Sequence, residues 1–442
     1  MTRPTREGLS WEDGTFGSKP RWKTEPRLEA IKVVCLRTLK LESEKDCTVE
    51  FYTAGAFNKL YLVEVPLTQQ KLLMRVSLPV DPHNKTMGEV ATLQWIRQFT
   101  SIPVPHIIAF DASSDNEIGF EWILMPLMPG TSAYSLWRRM SMTAKEALVK
   151  QVACFQEQIL KAAGERSHLR GIGTLVRTST GGGNVEASCS LAPGQLVSRH
   201  FFEGCHFNYA IPRGPFDSSR EWLESFIQII VQEQLEALET PEDDEDREDI
   251  EYHLGVAKRL LKLVRTTFPP SKDLPERTVP WHDDLSLMNI LVDEKGAITA
   301  VLDWEFVSAM PYWYATGMPQ FLTGRERVGE PVRDDYGNET PEEAEEIRKM
   351  MGDDRHVQDN EGKNQLYWIN LMEYEQTRLR GVYTRHMREL RPAWDVEVAD
   401  GALKDDFLGA AERCATGFPL KAIGRWMDAL EKGEFPRLED IL

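Results

Sequence analysis

Apolar and polar positions along this chain change rhythm about a third of the way through, and the change divides it into two parts. The opening residues are polar apart from one amphipathic stretch, Leu28 to Leu39, which predicts a short helix. From Thr48 the pattern turns to strands, with Phe57 to Val65 and Leu72 to Leu78 rich in apolar residues and bounded by Gly or Pro. A helix is predicted over about 86–99, where Val90, Leu93 and Ile96 share one face, and strands follow around 106–110 and 120–125. The segment Pro126-Leu127-Met128-Pro129-Gly130 breaks the pattern, as a boundary between lobes would.

Beyond that break the period is helical. Thr143 with Glu146, and Ser218 with Glu221, form capping boxes for helices running to about Ala162 and Leu238. Residues 164–217 between them hold many glycines and prolines and predict an irregular insertion. The acidic run 239–246 predicts a solvated loop, followed by a helix from about Arg247 to Thr267. Further helical patterns cover about 340–351, 361–388 and 403–432, and no segment repeats. The pattern predicts an α+β, bilobal chain. An arm and short helix occupy 1–47, a small antiparallel-sheet N-lobe 48–128, and a larger, mainly helical C-lobe 129–442.

With 41% hydrophobic and 28% charged residues over 442 positions, the composition is that of a globular chain with ample material for a core. The net charge of −18 argues against a nucleic-acid partner, because phosphate backbones are held chiefly by Lys and Arg. It also requires any ATP site to be locally positive or to work through a bound cation. The six cysteines show no CxxC and no pairing rhythm, which predicts reduced core thiols of an intracellular protein. No stretch approaches the roughly 18 apolar residues of a membrane span. A cytoplasmic location is expected. Arg3, Arg6 and Arg21 keep a mitochondrial presequence open, against Glu7, Glu12 and Asp13.

The chemistry is concentrated in Trp281-His282-Asp283-Asp284-Leu285-Ser286-Leu287-Met288-Asn289, an H-x-D-L-x-x-x-N segment. Ile290 to Asp293, a turn at Glu294-Lys295-Gly296, and Ile298 to Leu302 then predict a tight hairpin that returns Asp303 beside Asn289. Phosphoryl transfer calls for this arrangement, since its catalysis is mainly positioning and neutralisation of charge by metal. Asn289 and Asp303 supply oxygen ligands suited to Mg²⁺. Asp284 would aim, or take a proton from, the attacking hydroxyl, and His282 would brace the loop through backbone. The plain alternative is a set of surface carboxylates on an ordinary hairpin.

These residues resemble the aminoglycoside phosphotransferase and choline kinase family, more closely its fungal members of "phosphotransferase enzyme family" type. The resemblance covers roughly 50–430 and is sharpest over 281–305. It implies a protein-kinase-like fold and an ATP- and Mg²⁺-dependent kinase acting on a small-molecule hydroxyl, with catalytic Asp284 and His282 and metal-binding Asn289 and Asp303. Trp304-Glu305 stands where protein kinases carry Phe-Gly, and no A-P-E follows, which disfavours a protein kinase. In the N-lobe, Thr53 to Asn58 is the candidate phosphate loop, where Gly55 would let backbone approach phosphate. Arg75 stands where the family has an ATP-binding Lys, and it would pair with Glu89; a surface salt bridge is the bland alternative. The resemblance makes Met125 to Met128 the adenine hinge, with Met125 and Leu127 as its nucleotide-binding residues.

Trp304, Tyr312, Trp313, Tyr314, Tyr367, Trp368 and Tyr374, with Glu305 and Glu373, can form a pocket for a cationic acceptor, or can simply be core. Gly181-Gly182-Gly183-Asn184 lacks the Lys-Ser/Thr of a P-loop and predicts a flexible turn. The nine histidines show no metal-ligand spacing, so no structural zinc is expected. Arg75 and the poor glycine loop support a second reading, a catalytically weak pseudokinase that binds nucleotide or a partner.

Overall fold

A computed structural model describes residues 5–14, 17–178, 190–269, 274–353 and 358–442. The Gly181-Gly182-Gly183-Asn184 turn and Cys189 lie outside the described residues. The chain is α+β and bilobal, with an antiparallel sheet in its N-terminal part and helices dominating the rest.

The N-terminal sheet has the order β3-β4-β5-β7-β6, from β3 (Thr48–Ala54), β4 (Asn58–Val65), β5 (Gln70–Ser77), β6 (Ala109–Asp111) and β7 (Glu121–Pro126), every neighbour antiparallel. Both faces are covered, which explains why its central strands are apolar almost throughout rather than alternating. Helix α1 (Leu28–Leu39) lays Ile31, Val34 and Cys35 on one face, against Val63, Met74 and Leu124. Helix α2 (Asn84–Phe99) covers the other through Val90, which packs with Ile123 and Met125. Farther along α2, Leu93, Trp95 and Ile96 enter the large C-lobe core, so this helix joins the lobes. The opening arm is not featureless: β1 (Leu9–Gly14) and β2 (Gly17–Trp22) form an antiparallel hairpin. Leu9 packs there with Leu78, Val80 and Phe202.

Short strand β8 (Thr131–Ser132) and helix α3 (Ala133–Trp137) lead into α4 (Met142–Ala162). Its cap is Ser141, whose side chain accepts from the Ala144 N–H, rather than the expected Thr143. Serine two residues earlier satisfies orphan donors of the first turn. Ser218 does cap α6 (Ser219–Ala237), but the Glu221 carboxylate reaches the Asp217 N–H instead of closing a full box. The expected irregular insertion contains β9 (Gly173–Thr178), β10 (Ser190–Pro193) and α5 (Arg199–Phe202). Helix α7 (Asp244–Thr267) begins inside the acidic run, capped by Asp243, with Asp244, Glu245 and Asp246 in its first turn. Negative charge there meets the positive end of the helix dipole, so the run is an inter-helix loop over 239–243, as expected, and a helix start over 244–246.

Strands β11 (Thr278–Trp281), β12 (Ile290–Val292), β13 (Ile298–Val301) and β14 (Ser308–Pro311) frame the catalytic segment. The β12–β13 hairpin has the predicted turn: the Asp293 carboxylate accepts from the Lys295 and Ala297 N–H groups, and Gly296 takes φ +82°. β8 adds to the outer side of β12, pairing Ser132 with Leu291, and thus ties the hinge to the hairpin. The insertion joins β11 and β14, the strands that flank the hairpin, in a sheet of order β10-β9-β14-β11. The remainder is α8 (Pro341–Asp353), α9 (Gln365–Leu390), α10 (Trp394–Ala415) and α11 (Leu420–Glu431). The expected helix over 403–432 is two helices, parted around Gly417, whose φ of +72° suits a left-handed helix stop.

Candidate active site

The H-x-D-L-x-x-x-N segment runs from the end of β11 to the start of β12 as a loop held by its own side chains. The Asn289 amide donates to the Asp284 backbone carbonyl at 2.9 Å and to its carboxylate at 3.4 Å. Its NH₂ end being spent on the loop, Asn289 presents Oδ1 as its acceptor. His282 is 5% exposed and donates from Nε2 to the Leu302 carbonyl at 2.9 Å, with its ring edge-on to Trp304. It braces the loop against the strand that ends at Asp303. The Leu302 N–H in turn donates to the Asn289 carbonyl at 2.8 Å, which sets Asn289 and Asp303 side by side. Asp303 adopts φ +60° and Phe306 φ +61°, left-handed conformations that non-glycine residues seldom take outside tight functional turns.

From the N-lobe, Arg75 reaches this turn. It is 6% exposed and uses both ends of its guanidinium: Nη1 donates to Glu89 at 2.7 Å and Nη2 to Asp303 at 2.9 Å. The expected Arg75–Glu89 pair is therefore buried, not a surface bridge. Glu305, offered above to an acceptor, belongs to this network instead: it lies 2.8 Å from Arg75 and 2.7 Å from Lys85 and accepts from the Asn58 amide. Lys85, 2% exposed, also donates to Asn58 Oδ1 and Ser77 Oγ. The sequence reading missed Lys85 and Asn58. A signal existed for Lys85, which stands four positions before Glu89 and so shares its face of α2. Lys59 and Lys71 pair with Glu25 and Glu64 away from the turn.

Three carboxylates thus face two cations. Burial, opposed by Arg75, pushes Glu89 up to about 7. Burial and the neighbouring Glu305 raise Asp303 despite Arg75. For Glu305 burial is outweighed by Lys85 and Arg75, which hold it down to about 2. The Asp303 side chain keeps 37% of its surface open, so the surplus negative charge is turned toward the cleft. Asn289 Oδ1 and Asp303 are hard oxygen donors, and two protein ligands suit Mg²⁺, which completes its octahedron with phosphate oxygens and water. Among the described residues no group of three or more His, Cys, Asp and Glu side chains forms a cage of its own.

Gly55 sits in the β3–β4 turn, its N–H on the Asn58 carbonyl, with open space where a side chain would project. Met125 pairs with Leu73 in the sheet. The Leu127 N–H donates to the Lys71 carbonyl, so that donor is taken, and a hinge here would offer adenine the Leu127 carbonyl. The aromatic pocket does not form as expected. Trp304 and Trp313 are 2% and 9% exposed, Tyr312 donates to the Leu160 carbonyl, and Glu373 pairs with Arg327. Tyr367 and Trp368 stack with Arg333 of the protein itself. Trp304 packs on His282 of the H-x-D-L-x-x-x-N loop, and Tyr314 lies beside Asp283; desolvation and that carboxylate's charge raise the Tyr314 hydroxyl well above the usual range. Asp283 and Glu412 touch solvent, yet desolvation is the largest influence on both, pushing Glu412 up to about 7. The Asp283 charge adds to the rise of Glu412, so the two carboxylates lie close together beside Asp284.

The sequence profile of the phosphotransferase enzyme family matches residues 48–347, spanning sheet, loop and hairpin. The chain belongs to the phosphotransferase enzyme family. Among curated relatives of this phosphotransferase-family chain, a subtelomeric hrmA-associated cluster protein of Aspergillus fumigatus is 25% identical over 307 residues, covering 60% of this chain and 59% of that protein. Clavilactone A biosynthesis cluster protein Y of Ampulloclitocybe clavipes is 28% identical over 252 residues, 54% of each chain. The chain therefore spans less than two thirds of the length of these relatives. Among solved structures, an ethanolamine kinase of Plasmodium vivax has a TM-score of 0.39 at 13% identity, covering 95% of this chain and 92% of that one. A choline kinase of Cryptosporidium parvum has a TM-score of 0.39 at 14% identity, covering 92% and 97%. These scores are low, and the fold description rests on the geometry above. Among the described residues no helix is long and apolar enough to cross a membrane. Cys35, Cys47 and Cys414 are buried thiols as expected, whereas Cys205 is exposed.

Proposed function

We propose that this chain transfers the γ-phosphoryl group of ATP, with Mg²⁺, to a hydroxyl group of a small molecule. The observation that carries this reading is the meeting of Asn289 and Asp303 beside Asp284, across from the buried Arg75–Glu89 pair of the other lobe. Asn289 and Asp303 would hold the cation, which when bound neutralises charge on the phosphates. Asp284, anchored by Asn289, would orient the acceptor hydroxyl and take up its proton. His282 would keep the loop in register through Leu302. Arg75 would turn from Asp303 toward phosphate oxygens, which its planar fork binds well. Asp283 and Glu412, two carboxylates close together beside Asp284, support an acceptor that carries a positive charge close to its hydroxyl.

One observation favours the second reading, a weakly active nucleotide-binding protein: Arg75 already neutralises Asp303, the carboxylate a metal needs. The deciding experiment is ADP release from Mg·ATP across a panel of hydroxylated amines, neutral sugars and aminoglycosides. A cationic member is expected to stimulate turnover, and Asp284→Ala is expected to reduce it about 10²–10⁴-fold while nucleotide binding persists. Turnover unchanged in Asp284→Ala would remove Asp284 from the chemistry. No stimulation by any acceptor, with ATP still bound, would favour the weak-enzyme reading.

A further inference from the structure

A second polar cavity lies one helical turn along α2 from Lys85, on the side facing the insertion and the N-terminal arm. It has a volume of about 280 Å³ and is lined by Asp81, Asn84, Gln195, Phe207 and Arg213 among others. Asp81 is 1% and Arg213 9% exposed, so both charges are inside the protein. The arm contributes a third, Arg6, whose guanidinium lies 4.5 Å from the centre of the Phe207 ring; that of Arg213 lies 5.2 Å from the same ring. Two guanidiniums therefore share one aromatic ring and one aspartate, Arg213 lining the cavity and Arg6 packed on its Phe207 wall. The Asp81 carboxylate also accepts from the Asn84 amide at 2.9 Å and the Gln195 amide at 3.3 Å.

Charge and hydrogen-bond capacity are both out of balance here. Guanidinium and amide N–H groups converge from three separate segments; Arg213 Nη2 is taken by the His206 and Phe207 carbonyls, and among the described residues that line the cavity Asp81 is the single carboxylate. Arg6 Nη2 is buried with no hydrogen-bond acceptor among the described residues. Burial and Arg213, opposed by Asp81, leave Arg6 lowered to about 10, as expected of a cation with too little negative charge nearby. A buried positive surplus in a cavity of this size calls for a bound anion with several acceptor oxygens.

We infer that the cavity between the N-terminal arm, the start of α2 and the 195–213 segment is a binding site for a small oxyanion, held by Arg6 and Arg213 with Asn84 and Gln195. The site lies apart from the proposed phosphotransfer residues. It does share α2 with them, because the Asp81 carbonyl accepts from the Lys85 N–H in the first turn of that helix. An anion held there would fasten the arm to the helix that carries Lys85 and Glu89.

The test uses the full chain without ATP. Inorganic phosphate and acetate are titrated by calorimetry and by thermal melting, each against sodium chloride at matched ionic strength. One of the two oxyanions is expected to bind saturably and to raise the melting midpoint by about 2 °C or more, and which one does so distinguishes a phosphate from a carboxylate ligand. Arg6→Gln, on the partly open arm, should weaken that binding about tenfold by removing one charge-assisted donor. Asp81→Asn should tighten it severalfold, because it removes the carboxylate that competes for the arginines. An equal shift from chloride, no binding of either oxyanion, or undiminished affinity in Arg6→Gln would each overturn the site. Because no nucleotide is present, none of these outcomes depends on whether the chain transfers phosphate.

Discussion

Lys85 carries a burden that its place in the sequence hides. Its ammonium, 2% exposed, is held by Glu305, Asn58 and Ser77, so removing it leaves the buried Glu305 carboxylate with Arg75 as its remaining cation. Breaking a buried ion pair from one side costs about 3–5 kcal/mol, because the surviving charge stays desolvated. Lys85→Met is therefore expected to lower stability by that order, measured by urea unfolding. Adding Glu305→Gln should recover part of the loss, so that the double variant falls well short of the sum of the singles. Strict additivity would mean that the two groups do not interact. At this scale the sequence was readable where a motif fixes neighbours. His282, Asp284, Asn289 and Asp303 meet because eight residues of loop and one hairpin leave them little choice. It was not readable for Glu305, which adjoins Asp303 and yet points to the N-lobe, because the left-handed turns at Asp303 and Phe306 redirect the chain.

Between elements, the closest approach near the site is α2 against β9. A β-carbon placed on Gly88 would lie 2.3 Å from Thr174 Cγ2. Thr174 is itself fixed, its hydroxyl paired with Ser308 at 2.8 Å and accepting from the Val197 N–H. Gly88→Ala should thus cost about 1–3 kcal/mol through overpacking, although alanine is the better helix former. Thr174→Ser removes the obstructing methyl while keeping the hydroxyl, and in combination with Gly88→Ala should restore the melting temperature. Failure of that rescue would place the strain elsewhere. Helix α2 was legible from the spacing of Val90, Leu93 and Ile96, because amphipathic periodicity is local. Its partner β9 was not legible, because short strands inside a Gly- and Pro-rich insertion are defined by the ladder they join. Strand β9 pairs with β14, more than a hundred residues away. The misplaced cap at Ser141 and the early start of α7 have the same origin, since several neighbouring residues could satisfy the same N–H groups.

Across the whole molecule, the Glu305 network is the polar fastening between the lobes, with Asn58, Arg75 and Lys85 on one side and Asp303 and Glu305 on the other. Glu305 is held down to about 2 when folded, against about 4.3 in an unfolded chain. A depressed carboxyl contributes stability that is present above the unfolded value and disappears as pH falls toward the folded one. The protein should therefore lose stability steeply between about pH 4.3 and 2, a window bounded by those two values. Glu305→Gln, less stable at neutral pH, should show a shallower acid limb in urea unfolding; parallel limbs would exclude this linkage. The order of strands then helices, the loop chemistry and the hairpin were determined by the sequence alone, because each depends on residues within a turn or two of one another. Tertiary structure alone decided that Lys85 and Glu305 complete the Arg75 network, that most of the aromatic residues are core, and that Arg6 and Arg213 pack on one aromatic ring. Those outcomes depend on desolvation and on contacts between distant segments, and neither quantity exists until the lobes have closed on one another.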